Sequence, residues 1–125
     1  MNVLMSIKPK YANKIFDGTK LYEYRRKIWS RTDVNKIFVY ASSPIRLVIG
    51  QVEIDTIEQT CPRDIWSNTH WFGGIIEKDF YEYFKNCERG YAIRIKNPVA
   101  LNTPVAPKKM LGVSAPQSWC YVDRS

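Results

Sequence analysis

The chain has 125 residues, 45% of them hydrophobic and 25% charged, with a net charge of +7. That length suits one domain with its own core, and the composition excludes disordered and fibrous classes. Apolar runs such as Leu47-Val48-Ile49 fall far short of the ~20 residues a membrane helix needs, and residues 1–8 lack the pattern of a signal peptide.

Residues 2–7 read as a short strand. Lys8-Pro9 then opens a helix, since proline suits the first turn. In that helix Tyr11, Ala12, Ile15 and Phe16 form one apolar stripe, with Lys10 and Lys14 off it and facing water. Asp17-Gly18 ends it, with Gly18 as the left-handed residue. A strand is predicted over 19–28, with Glu23 and Arg25 on one face and Tyr22 and Tyr24 on the other. Ile37 to Ala41 is apolar on both faces, as in a central strand. After Ser42-Ser43-Pro44 a long strand runs from Ile45 to about Ile57. Its apolar parity switches near Gly50, which predicts a bulge. Helices follow over Pro62–Trp71, stopped by Gly73-Gly74, and over Glu77–Cys87, where Phe80, Tyr83, Phe84 and Cys87 form a clear stripe. Tyr91 to Lys96 alternates as a half-buried strand. The proline-rich stretch from Asn97 reads as irregular before a last apolar piece, Trp119 to Val122. Long strands without regular strand–helix–strand alternation predict a single α+β domain over residues 1–125. Its architecture is a mostly antiparallel β-barrel with about three flanking helices.

Charge is unevenly placed. Residues 1–36 hold nine basic side chains against three acidic ones, six of the seven net positive charges, whereas the remainder is nearly balanced. Such a local excess attracts polyanions, and RNA or a nucleotide is the expected partner. Cys61, His70, Cys87 and Cys120 lack metal-site spacing, and there is no Gly-rich phosphate loop, so neither metal nor cofactor is expected. Three cysteines without a framework spacing predict free thiols in a reducing, cytoplasmic setting. A monomer without membrane attachment is expected.

The segment Gly18-Thr19-Lys20-Leu21-Tyr22-Glu23-Tyr24-Arg25 has the form G-x-K-x-x-E-x-R after an amphipathic helix. With Ser6-Ile7-Lys8-Pro9-Lys10-Tyr11-Ala12, Val39-Tyr40-Ala41-Ser42-Ser43-Pro44, Ile49-Gly50 and Ala115-Pro116-Gln117-Ser118-Trp119, it closely resembles the ASCH domains of the PUA-like superfamily. The resemblance spans nearly the whole chain. It implies a PUA-like barrel with a cleft at one mouth and a role in binding RNA. It also implies an alternative, because one ASCH branch resembles amidohydrolases that deacylate N4-acetylcytidine. There the motif lysine is catalytic, assisted by a threonine at the position of Glu23 and by a distant glutamate. Here Lys20 and Arg25 match, Glu23 replaces the threonine, and Glu53, Glu58 and Glu77 are candidates for the distant acid by location only.

The residues then take expected roles. A carboxylate beside Lys20 is expected to keep the amine protonated, which makes it an anchor for phosphate or carbonyl rather than a nucleophile. Glu23 accepts from a base amino group while Arg25 binds phosphate or orients Glu23; the structural alternative is a pair bracing the barrel wall. Lys8, Arg26 and Lys27 extend the basic surface, and Ser42 and Ser43 offer hydroxyls at a strand end. The resemblance alone adds Gln117, Ser118 and Trp119. Trp29 either stacks on a base or caps the barrel. The preferred reading is an RNA-binding module whose basic cleft accepts a base or nucleotide. The alternative is a small hydrolase of a modified nucleoside using Lys20 and Glu23. A protein-interaction module has only exposed aromatics in its favour.

Overall fold

In the computed structural model, which describes residues 1–123, six strands form one sheet: β1 (Asn2–Ile7), β2 (Tyr22–Arg25), β3 (Lys36–Ala41), β4 (Leu47–Thr60), β5 (Gly90–Val105) and β6 (Trp119–Val122). Their order across the sheet is β2-β5-β4-β3-β1-β6. Only β1 and β3 run parallel; the other four pairings are antiparallel. Four α-helices cover it: α1 (Pro9–Phe16), α2 (Pro62–Thr69), α3 (Glu77–Tyr83) and α4 (Pro107–Leu111). None is long and apolar enough to cross a membrane.

The apolar run of β3 lies at the centre, as its pattern predicts. Ile37, Val39 and Ala41 join Val3, Met5 and Ile7 of β1 and Ala12 and Ile15 of α1 in one core. Phe38 and Tyr40, on the opposite face, pack with Leu4, Val48 and Leu111 beneath α4. A third cluster of Tyr24, Ile65, Phe80, Phe84 and Ala92 seats α2 and α3 against the outer end of the sheet. Pairing slips between Val39 and Tyr40 and between Val48 and Gly50, the bulge that the parity switch predicts. Bulges bend and twist strands, and here they accompany a sheet curled into a half-barrel.

The barrel's seam is closed by side chains. Backbone pairing ends at β2 on one edge and β6 on the other. Arg25 of β2 crosses the gap, donating from Nη2 to Ser6 O at 2.7 Å and from Nη1 to Ser118 Oγ at 3.2 Å. On the far side, Ser6 donates its N–H to Ser118 O at 2.9 Å and its hydroxyl to Pro116 O at 2.6 Å.

Several predicted boundaries move. The strand predicted over 19–28 contracts to four residues, because the turn after α1 bends the chain inward before Tyr22. The helix from Pro62 ends at Thr69 and continues as a 3-10 turn, His70–Phe72. The stretch after Asn97 remains strand to Val105 despite Pro98 and Pro104, which both fall between positions paired with β4. A proline without an N–H is tolerated where no ladder bond is required. The short α4 follows, opened by Pro107 and ended by Gly112.

Candidate nucleic-acid interface

Local chemistry at the end of α1 sets the first functional side chain. Gly18 adopts φ 87°, the left-handed conformation that closes a helix. The Asp17 carboxylate then accepts the Thr19 N–H at 2.9 Å and its hydroxyl at 2.6 Å. Lys14 O accepts the N–H groups of both Thr19 and Lys20. This tight turn drives the Lys20 side chain inward, where it is only 2% exposed.

The Lys20 amine donates to Gly73 O at 2.5 Å and sits 4.9 and 5.4 Å from the ring centroids of Tyr24 and Tyr11. Both glycines of the 73–74 turn are required by that packing. A Cβ on Gly73 would lie 2.2 Å from the Tyr24 hydroxyl. One on Gly74, which has φ 64°, would meet the Lys20 stem at 2.8 Å. The turn is tied to α1 and β2 by two more bonds, Lys14 Nζ to Gly74 O at 3.2 Å and Leu21 N to Phe72 O at 2.8 Å.

Burial pushes the Lys20 amine from its ordinary 10.5 down to about 8. Glu23 opposes that shift, and Lys14 and Arg25 add to it. Glu23 acts in the expected direction, favouring the protonated amine, while desolvation outweighs the single carboxylate and brings the pKa closer to neutral. Tyr24, whose hydroxyl is 2.7 Å from Thr69 Oγ1, is pushed by burial up to about 12 and stays neutral.

Glu23 and Arg25 form a buried ion pair at 3.0 Å, their side chains 9% and 11% exposed. Arg25 Nε also donates to Glu23 Oε2 at 3.0 Å. With its other bonds to Ser6 and Ser118, each of the three guanidinium nitrogens has a partner within the protein. Glu23 Oε1 remains for a donor from outside.

These groups line a pocket of about 440 Å³, within the usual size range of small-molecule sites. Lys8, Lys10, Lys20 and Arg25 face it from α1 and the sheet edge, together with Tyr11, Tyr24 and Glu23. Its opposite side is α3, which contributes Asp79, Glu82 and Tyr83. The basic cleft thus has an acidic flank, which sequence reasoning missed along with Gly73-Gly74. The signal for the flank was present, since Asp79 and Glu82 border the apolar stripe of Phe80 and Tyr83.

The other predicted residues are dispersed. Lys8 is exposed at the rim. Arg26 is exposed with its guanidinium 4.8 Å from the centroid of the Tyr83 ring, and its N–H donates to the Tyr83 hydroxyl at 3.2 Å. Lys27 is exposed and does not line the pocket. Ser42 touches the site only through its N–H, which donates to Ile7 O at 3.0 Å, and the exposed Ser43 precedes a cis proline. Gln117 is exposed outside the pocket, whereas Ser118 reaches it through Arg25. Trp119 packs edge-on against the buried Trp29 at 5.5 Å, and both close the end of the core. Glu53 and Glu58 accept from Asn97 and Asn68. Neither they nor Glu77 line the pocket. Lys14 faces the 73–74 turn rather than water, Arg31 pairs with Asp33, and Lys36 lies along β3, away from this pocket. Among the described residues no His, Cys, Asp or Glu cluster is placed to hold a metal ion.

Over 104 residues the chain is 27% identical to an ASCH domain-containing ribonuclease of Zymomonas mobilis, a match covering 83% of this chain and 68% of that protein. The crystal structure of ASCH from Zymomonas mobilis aligns over 98% of this chain and 88% of its own, with a TM-score of 0.88 and 24% identity. The chain is thus similar in sequence to an ASCH protein and shares the ASCH fold. A serine-to-alanine mutant of the Zymomonas protein gives a TM-score of 0.89, covering 98% of this chain and 89% of that one at 24% identity. The chain is also 22% identical over 102 residues to the large ribosomal subunit protein uL22 of Ureaplasma parvum, matching 82% of its own length and 33% of that protein. No protein-family profile matches it.

Proposed function

We propose that this ASCH domain is an RNA-binding module whose pocket receives one nucleotide. The observation that carries the reading is the convergence of Lys8, Lys10, Lys20 and the Glu23–Arg25 pair on a single 440 Å³ pocket at the sheet's seam. Lys8 and Lys10, exposed on the rim, take the phosphate. On the floor Lys20 donates to a base carbonyl, and Glu23 Oε1 accepts from a base N–H. Arg25, with its bonds spent on the protein, positions Glu23. Support from kinship comes from the Zymomonas relative that is named a ribonuclease. The three half-buried free cysteines suit a reducing cytoplasm, and the domain acts there as a monomer.

Titration of labelled single-stranded RNA at two salt concentrations tests this. The expected result is affinity that falls as salt rises and drops roughly tenfold in Lys8→Ala/Lys10→Ala. Affinity independent of salt, or untouched by that pair, would remove the reading.

Turnover is a second reading, favoured by one observation. An amine of pKa about 8 loses its proton far more readily than an ordinary lysine, which suits proton transfer or nucleophilic attack at mildly alkaline pH. Incubating the protein with RNA and with an N4-acylated cytidine distinguishes cleavage from deacylation. Either activity should vanish in Lys20→Met while RNA binding at the rim persists.

A further inference from the structure

Beside the pocket stands an aromatic group that the nucleotide site does not use. Trp71 is 69% exposed, Phe72 52% and Ile76 63%, on two neighbouring stretches of chain. Large apolar groups clustered at a surface mark an interaction site more often than chance exposure. The rings are also pre-set. Trp66 and His70 stack at 5.2 Å and 23° between planes, and His70 lies against Trp71 at 4.0 Å and 31°. His70 Nδ1 is held 2.8 Å from Trp66 O, which fixes the middle ring.

The same turn builds both features. Phe72 O receives Leu21 N–H, Gly73 O receives Lys20 and Gly74 O receives Lys14, so Trp71 and Phe72 are anchored directly to the pocket floor. Ile75, three residues after Phe72, lines the pocket. Three residues span at most about 10 Å, which keeps the exposed rings close to a nucleotide seated there. An exposed cation stands beside the rings: Arg63 in α2 shares a helical face with Trp66 and His70.

We infer that Trp71 and Phe72 form a stacking ledge for the unpaired bases of an RNA strand whose neighbouring nucleotide occupies the pocket. The inference rests on the RNA-binding reading and extends it from a single nucleotide to a strand. Trp71, backed on one face by the His70 ring, and the neighbouring exposed Phe72 offer π-surfaces to any base, and the exposed Arg63 serves a phosphate between bases. The ledge therefore contributes affinity with little base preference, while Lys20 and Glu23 discriminate in the pocket.

The test compares a mononucleotide with a single-stranded oligonucleotide several times longer, on the wild-type chain and on Trp71→Ala/Phe72→Ala. Both side chains are exposed, so the variant folds, and circular dichroism checks this. The double variant should lose about tenfold or more in affinity for the long strand and leave the mononucleotide unchanged. Equal losses for both ligands, or none for the long strand, would overturn the ledge while leaving the RNA reading in place. Failure of the wild type to bind either RNA would overturn both. Self-association that disappears in the variant, with RNA affinity intact, would assign the ledge to contacts between copies instead.

Discussion

The two sides of the pocket are held in different ways. On the β2 side the buried charges are tied: Lys20 to Gly73, Glu23 to Arg25, and Arg25 onward to Ser6 and Ser118. On the α3 side the carboxylates of Asp79 and Glu82 make no hydrogen bond or ion pair among the described residues. The tied side offers charges whose orientation needs no rearrangement when a ligand arrives, the condition under which buried electrostatics are strongest. The untied side can turn toward or away from a ligand, at the cost of side-chain freedom. Rigidity and burial thus go with Lys20, Glu23 and Arg25 of the G-x-K-x-x-E-x-R segment, and adjustability with the helix facing them.

Substitutions should expose that difference, beginning with the largest effect. Arg25→Met leaves the Glu23 carboxylate buried and unpaired and opens the seam. It should cost about 4 kcal/mol in chemical denaturation. Adding Glu23→Met should restore much of the loss, and an additive double variant would show that the pair is not coupled.

Next comes pH. Burial lowers the Lys20 pKa in the folded state, so between about pH 8 and 10.5 the unfolded chain holds more protons than the folded one. Stability contributed by this group therefore rises with pH across that window, by about 3 kcal/mol in all, and below pH 8 the full cost of the buried charge remains. Tyrosines titrate nearby, so the difference between wild type and Lys20→Met is the quantity to follow. A flat difference would mean that the amine is better hydrated than its 2% exposure implies.

Gly73→Ala is expected to rank third. Its new methyl meets the Tyr24 hydroxyl, itself bonded to Thr69, and displacing that ring should cost about 2 kcal/mol in thermal unfolding. Smallest is the untied side. Asp79→Asn/Glu82→Gln should leave stability within about 0.5 kcal/mol and tighten RNA binding by removing repulsion of phosphate. Weaker binding in that variant would show that the carboxylates receive donors from the base.

Much of the fold was legible because it was written locally. The Lys8-Pro9 start, the Gly18 stop, the two-faced apolar run of β3 and the parity switch at Gly50 each act within a few residues. Glu23 and Arg25 were read as either a ligand pair or a structural brace, and the geometry makes them a brace that also faces the pocket. Gly73-Gly74 read as a mere helix stop because its purpose depends on Lys20, 53 residues away. The burial of Lys20 was hidden for the same reason: Glu23 is visible in the sequence, whereas Tyr11, Tyr24 and the glycine turn that desolvate the amine lie far from it or give no local signal. Residues 97–105 looked irregular from their prolines, since only the register against β4 reveals that those positions need no N–H.

The rivet at the seam also fixes when the pocket can come into being. Ser6 bonds to Pro116 across 110 positions, and Arg25 reaches Ser118 across 93. Loops of that length close late, after the local helices and hairpins have formed. During synthesis, the cationic turn and its glycine partner can be assembled while the mouth of the barrel still gapes. Binding competence is therefore the last property this chain acquires, and the first it forfeits when its C-terminal strand frays.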